Sequence, residues 1–304
     1  MPDVSAVAIH LDADASVSAA PLVQFDWLPA ASATVPLLSL NQAPAERWLG
    51  HEAVSAYTQD GVHYRHDGKW LIGQLRFDAD DIEQAAYQAY RALGDFIAAS
   101  NYPFLLRAWN FLDRLNQGEG DAERYRRFCI GRHRAIAQPG FEARLPAATV
   151  IGSDQPGLVL SFLAAREPGL QIENPRQTSA FQYPRDYGPV SPSFSRATLV
   201  GPHLLVSGTA AVVGHATRHS FDALAQIDEI AANLEALLMN ARNTHMAGVE
   251  GRWTAQALRL YVRRPQDAEA ATAKLRTWIP SSVALSVLRG DISRADLMVE
   301  VEGV

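Results

Sequence analysis

The chain has 304 residues, 48% of them hydrophobic and 20% charged, a balance that excludes a disordered or fibrous protein and suits one large domain or two of ordinary size. The formal net charge is −6 with Lys and Arg dispersed, so no nucleic-acid partner is expected. Residues 1–7 lack the basic head and apolar core of a signal peptide, no apolar run reaches the roughly 18 residues of a membrane span, and the single Cys129 excludes an intrachain disulfide; a cytoplasmic protein without membrane contact is the expectation.

Residues 1 to about 45 are rich in Ala, Ser and Pro, with short apolar runs such as residues 21–28, and predict a few irregular strands. Asp80 and Asp81 precede Ile82, Ala85, Ala86, Ala89, Tyr90, Leu93, Phe96 and Ile97, an amphipathic helix with acidic residues at its start. Asn101 and Pro103 end it. Residues 104–112 predict a buried strand, 116–120 a turn, and 121–137 a second helix stopped by Pro139-Gly140. Residues 147–151 and 158–164 predict a hairpin. Residues 173–192, with four prolines, predict a loop, and 195–200 with 204–207 a hairpin around Gly201-Pro202. Asp222 is placed to cap a long helix, followed by a strand (257–262), a helix (268–278), a strand (283–288) and a terminal strand. The first half thus ends α-β-α-β-β and the second runs β-β-α-β-α-β-β. That order suggests two related α+β modules, residues 1–165 and 166–304, each a mixed sheet with helices on one face.

In the terminal stretch, Leu297, Val299 and Val301 alternate with Met298, Glu300 and Glu302. On a strand both carboxylates leave the same side, about 7 Å apart. They form either a solvated acidic face or the wall of a cleft in which burial lets Glu300 deliver a proton. Gly208, in Ser207-Gly-Thr-Ala210, marks either a strand end or a close approach of backbone to a ligand. No nucleotide-binding glycine motif, H-E-x-x-H or nucleophile elbow occurs, and His215 and His219 fall in a loop-to-helix junction, so no metal and no cofactor are expected. Arg132, on the second helix, suits a salt bridge at a module contact.

Residues 102–112 (YPFLLRAWNFL), Arg124-Tyr125, 128–135 (FCIGRHRA), 173–180 (ENPRQTSA), 207–215 (SGTAAVVGH) and 299–302 (VEVE) together resemble the chorismatase family, in its order, from about residue 100 onward. The resemblance implies an α+β fold of two RidA/YjgF-like (chorismate-mutase-like) modules, the first diverged in sequence. It implies removal of the enolpyruvyl side chain of chorismate as pyruvate, without metal or cofactor. The ring product is a hydroxybenzoate (3- or 4-) or, in hydrolytic members, a dihydroxycyclohexadienoate. A RidA-like module that only binds a small carboxylate is the non-catalytic alternative. RidA-type deaminases carry a substrate-binding Arg where this chain has Leu285, which speaks against imine hydrolysis. By resemblance Glu300 is the proton donor, with Glu302 as its alternate. Arg196, Tyr187, Tyr183 and Arg132 join Gly208 and Thr209, whose amides would face the ring, as substrate-binding residues. Ala210 and Ser293 match positions that steer product choice; Cys is common at the latter in hydroxybenzoate formers. For Ser293 and Glu300, seven residues apart, to line one pocket, a turn must intervene near Arg294–Asp296. The segments do not fix an oligomeric state.

Overall fold

The computed structural model describes residues 8–11, 22–26, 35–41, 45–49, 54–245 and 255–304. Near the start, Ala8–Leu11 (β1), Val23–Asp26 (β2) and Ala45–Leu49 (β3) form a small antiparallel sheet with β3 in the middle. Residues 1–7 and the ends of the apolar run 21–28 lie outside the described residues.

Asp60 and Gly61 both adopt positive φ and fold Ser55–Gln59 (β4) back onto Val62–His66 (β5) in a two-residue hairpin. Trp70–Phe77 (β6) extends the meander. The helix Ile82–Ala99 (α1) starts at Asp81, whose carboxylate accepts the N–H groups of Glu83 and Gln84. Its apolar face, with Ala86, Ala89, Leu93 and Phe96, packs on Leu71, Leu75, Ala108 and Phe162 of the sheet. Phe104–Asp113 (β7), Arg124–Ile136 (α2), Ala147–Ser153 (β8) and Leu158–Ala165 (β9) complete the first module.

The second module contains Leu170–Ile172 (β10), Ala197–Val200 (β11) and His203–Thr209 (β12), then the small pair Val212–Val213 (β13) and Ala216–Thr217 (β14). Ala223–His245 (α3), capped by Asp222, Ala257–Val262 (β15), Ala268–Arg276 (α4), Ala284–Arg289 (β16) and Val299–Gly303 (β17) follow. The two six-stranded sheets have the orders β4-β5-β6-β9-β7-β8 and β10-β11-β12-β17-β15-β16. These are the same permutation. In each, a helix follows the third and the fourth strand, and the parallel pair (β7 with β8, β15 with β16) is joined through a helix. The two related α+β modules are thus present.

One expected pairing is absent. β8 and β9 do not form a hairpin; β8 pairs with β7 alone among its sheet neighbours, and β9 lies between β7 and β6. The connection through α2 makes β7 and β8 parallel neighbours, which leaves β9 the other edge of β7. Asp121 sits in a 3₁₀ turn (Gly120–Ala122), so α2 begins three residues later than expected.

β8 is therefore the edge of its sheet, and the second module covers it with hydroxyls. The N–H groups of Ala147 and Ala148 donate to Thr198 Oγ1 (2.9 Å) and Ser207 Oγ (2.8 Å), and Gly208 N–H donates to Thr149 Oγ1 (2.9 Å). Satisfying an edge strand by side chains of the other module fixes the two sheets against each other. Trp48 and Trp109 pack with Tyr261 and Leu288 in one apolar cluster that spans both modules and the N-terminal sheet. Residues 38–40 run beside β16, with Leu40 N–H on Val287 O and Arg289 N–H on Leu38 O. No helix among the described residues is long and apolar enough to cross a membrane.

Candidate active site

The β12–β17 pairing carries a bulge between Val206 and Thr209, opposite Val301 to Gly303 of β17. A turn closed by Leu297 N–H on Arg294 O (3.1 Å) leads into β17 and brings Ser293 to the same cavity as Glu300, as the odd spacing required. That cavity, about 560 Å³, lies between the modules. Tyr125, Arg126 and residues 148–150 line it from the first module; Tyr183, Tyr187, Phe194, Arg196, Gly208, Ala210 and residues 293–297 with Glu300 line it from the second. The size suits a small organic ligand.

Glu300 is 6% exposed. Burial first, and the neighbouring Glu302 second, push its carboxyl up to about 8, against the opposing pull of Arg107 and Arg196. At neutral pH it is therefore mostly the protonated acid. Gly208 is what makes room for it: a Cβ at that position would overlap the Glu300 carboxyl group. The Gly208 amide is taken by Thr149, so it is not free for a ligand as expected. Replacing Gly208 by Ala should leave the fold intact but displace the carboxyl, costing about a hundredfold in turnover. Steady-state kinetics beside circular dichroism checks this; a fully active Gly208→Ala enzyme contradicts it.

Glu302 occupies a different environment from the solvated face considered for the terminal strand. It is buried, and its carboxylate accepts five hydrogen bonds. Oε1 takes Tyr261 Oη (2.8 Å), Arg259 Nη1 (3.0 Å) and Trp109 Nε1 (3.0 Å), and Oε2 takes Arg107 Nη2 (2.5 Å) and Thr149 Oγ1. Burial alone would raise it, but Arg107 and Arg259, with the bonds from Thr149 and Tyr261, hold it below the usual carboxylate range. The two carboxylates of one strand face are thus driven apart, one protonated and one ionised.

On the cavity side, Arg196 Nη2 donates to Thr178 O (2.7 Å) and Tyr183 Oη (2.9 Å), and its guanidinium lies over Phe194 at 5.2 Å. Arg294 stacks on Tyr187 at 4.1 Å and Tyr183 at 5.4 Å. These two fixed arginines on an aromatic wall suit a small ligand with carboxylates. Arg294 and Arg126 were not among the residues expected from sequence; nothing distinguishes them there from surface arginines. Two expected residues stand outside the cavity lining. Thr209 is buried with its hydroxyl on Ser207 O, because strand alternation turns it away from Gly208's face. Arg132 is buried against the Tyr90 ring at 4.7 Å, its Nε and Nη2 have no hydrogen-bond partner among the described residues, and the salt bridge considered for it does not form among them.

Leu285 lies in the apolar core of the second module. Burial pushes the Cys129 thiol up to about 12, which leaves it inert at neutral pH. His215 faces Tyr187 Oη and His219 faces Glu229, so the two histidines serve separate contacts. Among the described residues no group of three or more His, Cys, Asp or Glu is placed to hold a metal ion.

Residues 46–164 match the family model described as Chorismatase FkbO/Hyg5-like, N-terminal. The chain is 34% identical over 275 residues to a chorismatase of Streptomyces hygroscopicus, covering 87% of this chain and 80% of that protein. It is 35% identical over 275 residues to a 3-hydroxybenzoate synthase of the same species, covering 86% and 81%. A crystal structure of a chorismatase superposes with a TM-score of 0.78 at 33% identity, over 85% of this chain and 81% of that one.

Proposed function

This chain belongs to the chorismatase family, and from that premise we propose that it is an enzyme that removes the enolpyruvyl group of chorismate as pyruvate, with Glu300 as the proton donor. The observation that carries this reading is a carboxyl group held protonated at neutral pH in the wall of a cavity between two modules. An enol ether is stable until its methylene carbon is protonated. Glu300 gives its proton to that carbon, which becomes the methyl group of pyruvate, and the positive charge settles on the ether oxygen as an oxocarbenium ion. Water or the neighbouring ring hydroxyl attacks the carbon next to that oxygen, its oxygen becomes the keto oxygen of pyruvate, and the bond from that carbon to the ether oxygen breaks. Where the ring hydroxyl attacks, its own bond to the ring breaks as well and the ring then loses a proton.

For a hydroxybenzoate product the sum of products equals chorismate, so no water is consumed, and the proton lost as the ring aromatises restores Glu300. The hydrolytic branch consumes one water and leaves a dihydroxycyclohexadienoate. Ala210 and Ser293 both line the cavity, which supports their reading as residues that steer the ring product. Arg196 and Arg294 hold the two carboxylates of chorismate, and Tyr183 and Tyr187 hold the arginines. The test is incubation with chorismate followed by separation of products. Equal amounts of pyruvate and 3- or 4-hydroxybenzoate are expected. The diol in place of hydroxybenzoate would assign the hydrolytic branch, and no pyruvate at all would overturn the function.

Arg196 also yields a quantitative expectation. Lysine keeps the charge but loses the planar fork, so Arg196→Lys should raise KM by about tenfold or more with the melting temperature unchanged. If Arg196→Ala leaves both KM and kcat untouched, the residue holds no substrate.

A further inference from the structure

Behind Glu300, away from the cavity, four charged side chains are almost wholly shut off from water: Glu46, Arg107, Arg259 and Glu302. They are linked as a chain. Arg259 grips Glu46 with Nε and Nη2, both at 2.8 Å, and reaches Glu302 with Nη1 at 3.0 Å; Arg107 closes on the other oxygen of Glu302 at 2.5 Å. Glu46 comes from β3, the middle strand of the N-terminal sheet, and is held in addition by Trp48 Nε1 at 2.7 Å. It is not among the residues that line the cavity.

We infer that Glu46 is a positioning residue for catalysis: by occupying Arg259 it completes a buried group of two cations and two anions, so that the charge behind Glu300 balances only while Glu300 carries its proton. The inference rests on the reading of Glu300 as the proton donor. The charges that act directly on Glu300 are Glu302 on its own strand, Arg107 from β7 and Arg196 beside β11. Tyr261, its register partner on β15, gives its hydroxyl proton to Glu302, and Arg294 and Asp296 share the cavity. Arg107 and Arg259 would together favour an ionised Glu300. Two buried carboxylates offset them, and only one of these, Glu302, is near the reaction. Glu46 supplies the other from the N-terminal sheet, which also packs Phe25 and Trp48 against Trp109 and sets the Phe25 ring 4.3 Å from the Arg259 guanidinium.

Glu46→Gln keeps the size and an acceptor but leaves Arg259 and Arg107 to share the single carboxylate of Glu302, and the excess positive charge favours the ionised form of Glu300. The alkaline limb of kcat should move to lower pH by about 0.5–1 unit, the small end of what a nearby charge does. Arg259→Gln removes a cation and should move it to higher pH, and Glu46→Asp, which keeps the charge, should restore the limb toward its original position. Either of the first two variants that folds decides the matter. A role in stability alone would lower activity equally at all pH values, and an unmoved limb in a folded variant overturns the inference. Titration of the Glu300 carboxyl, followed as the infrared carbonyl band lost in Glu300→Gln, separates the two claims. A band that shifts in Glu46→Gln while Glu300→Gln remains active would sink the assignment of the acid and leave the charge balance standing. A dead Glu300→Gln enzyme with an unshifted band would sink the charge balance alone.

Discussion

Glu300→Gln should lose about 10²–10⁴ in kcat, the usual cost of a general acid, while KM for chorismate stays near the wild-type value. Glutamine has the size and hydrogen-bonding capacity of glutamic acid but no proton acidic enough for carbon. The same variant should be more stable than the wild type, which distinguishes lost chemistry from lost folding. The sign follows from linkage. The folded protein holds the Glu300 proton up to about 8, whereas the unfolded chain releases it near the ordinary glutamate value of 4.5. Between those values the folded state binds more protons, so the wild type loses about 1.4 kcal/mol of stability per pH unit as pH rises. Glutamine has no such dependence. The stability gap between the variant and the wild type should therefore widen from pH 5 to pH 8, as read by denaturant unfolding. Equal stability at every pH would contradict the burial of Glu300 as a neutral acid.

Glu302→Gln should do the opposite to the fold. Removing one carboxylate from a fully buried ion network leaves Arg107 and Arg259 sharing a neutral amide that cannot offset either charge. Losses of about 3–5 kcal/mol are typical when one partner of such a pair is removed. Urea unfolding at pH 7 measures it directly, and a change below about 1 kcal/mol would mean that the network is open to water. The contrast between two glutamates two residues apart is the consequence of where each points: one into a cavity beside a glycine, the other into a cage of five donors.

Much of this arrangement could be read from the chain before folding. The helices α1 and α3, with their caps Asp81 and Asp222, and the strands β7, β15 and β17 follow from hydrophobic period and capping chemistry, which act locally. The hairpin of β4 and β5 is also legible, since Asp60-Gly61 is a two-residue turn signal. The false hairpin of β8 and β9 has another cause. Strand partners are settled by which edges a helical crossover leaves free, and that is a property of the whole sheet.

The site divides in the same way. Glu300, Arg196, Tyr183, Tyr187, Gly208, Ala210 and Ser293 do meet at one cavity; Gly208, Ala210 and Glu300 lie in the segments that carry the resemblance, and the other four fall outside those segments. The environment of Glu302 could not be read, because its partners Arg107, Thr149 and Arg259 come from three strands far apart in sequence. The function of Gly208 changed for a similar reason. A glycine on a strand signals close approach, but only the register of β12 with β17 shows that the approaching group is the Glu300 carboxyl.

The pH dependence of kcat in the wild-type enzyme tests the central claim most directly, because it reports the protonation state of the essential acid with substrate bound. The carboxylates of bound chorismate add negative charge beside Glu300 and can only favour its protonated form further. The rate should therefore be flat through neutral pH and then fall by about tenfold per unit above a midpoint at or above about 8. A rate that rises through pH 8, or one already falling below pH 6, would show that the working group is not a carboxylic acid held protonated at this site.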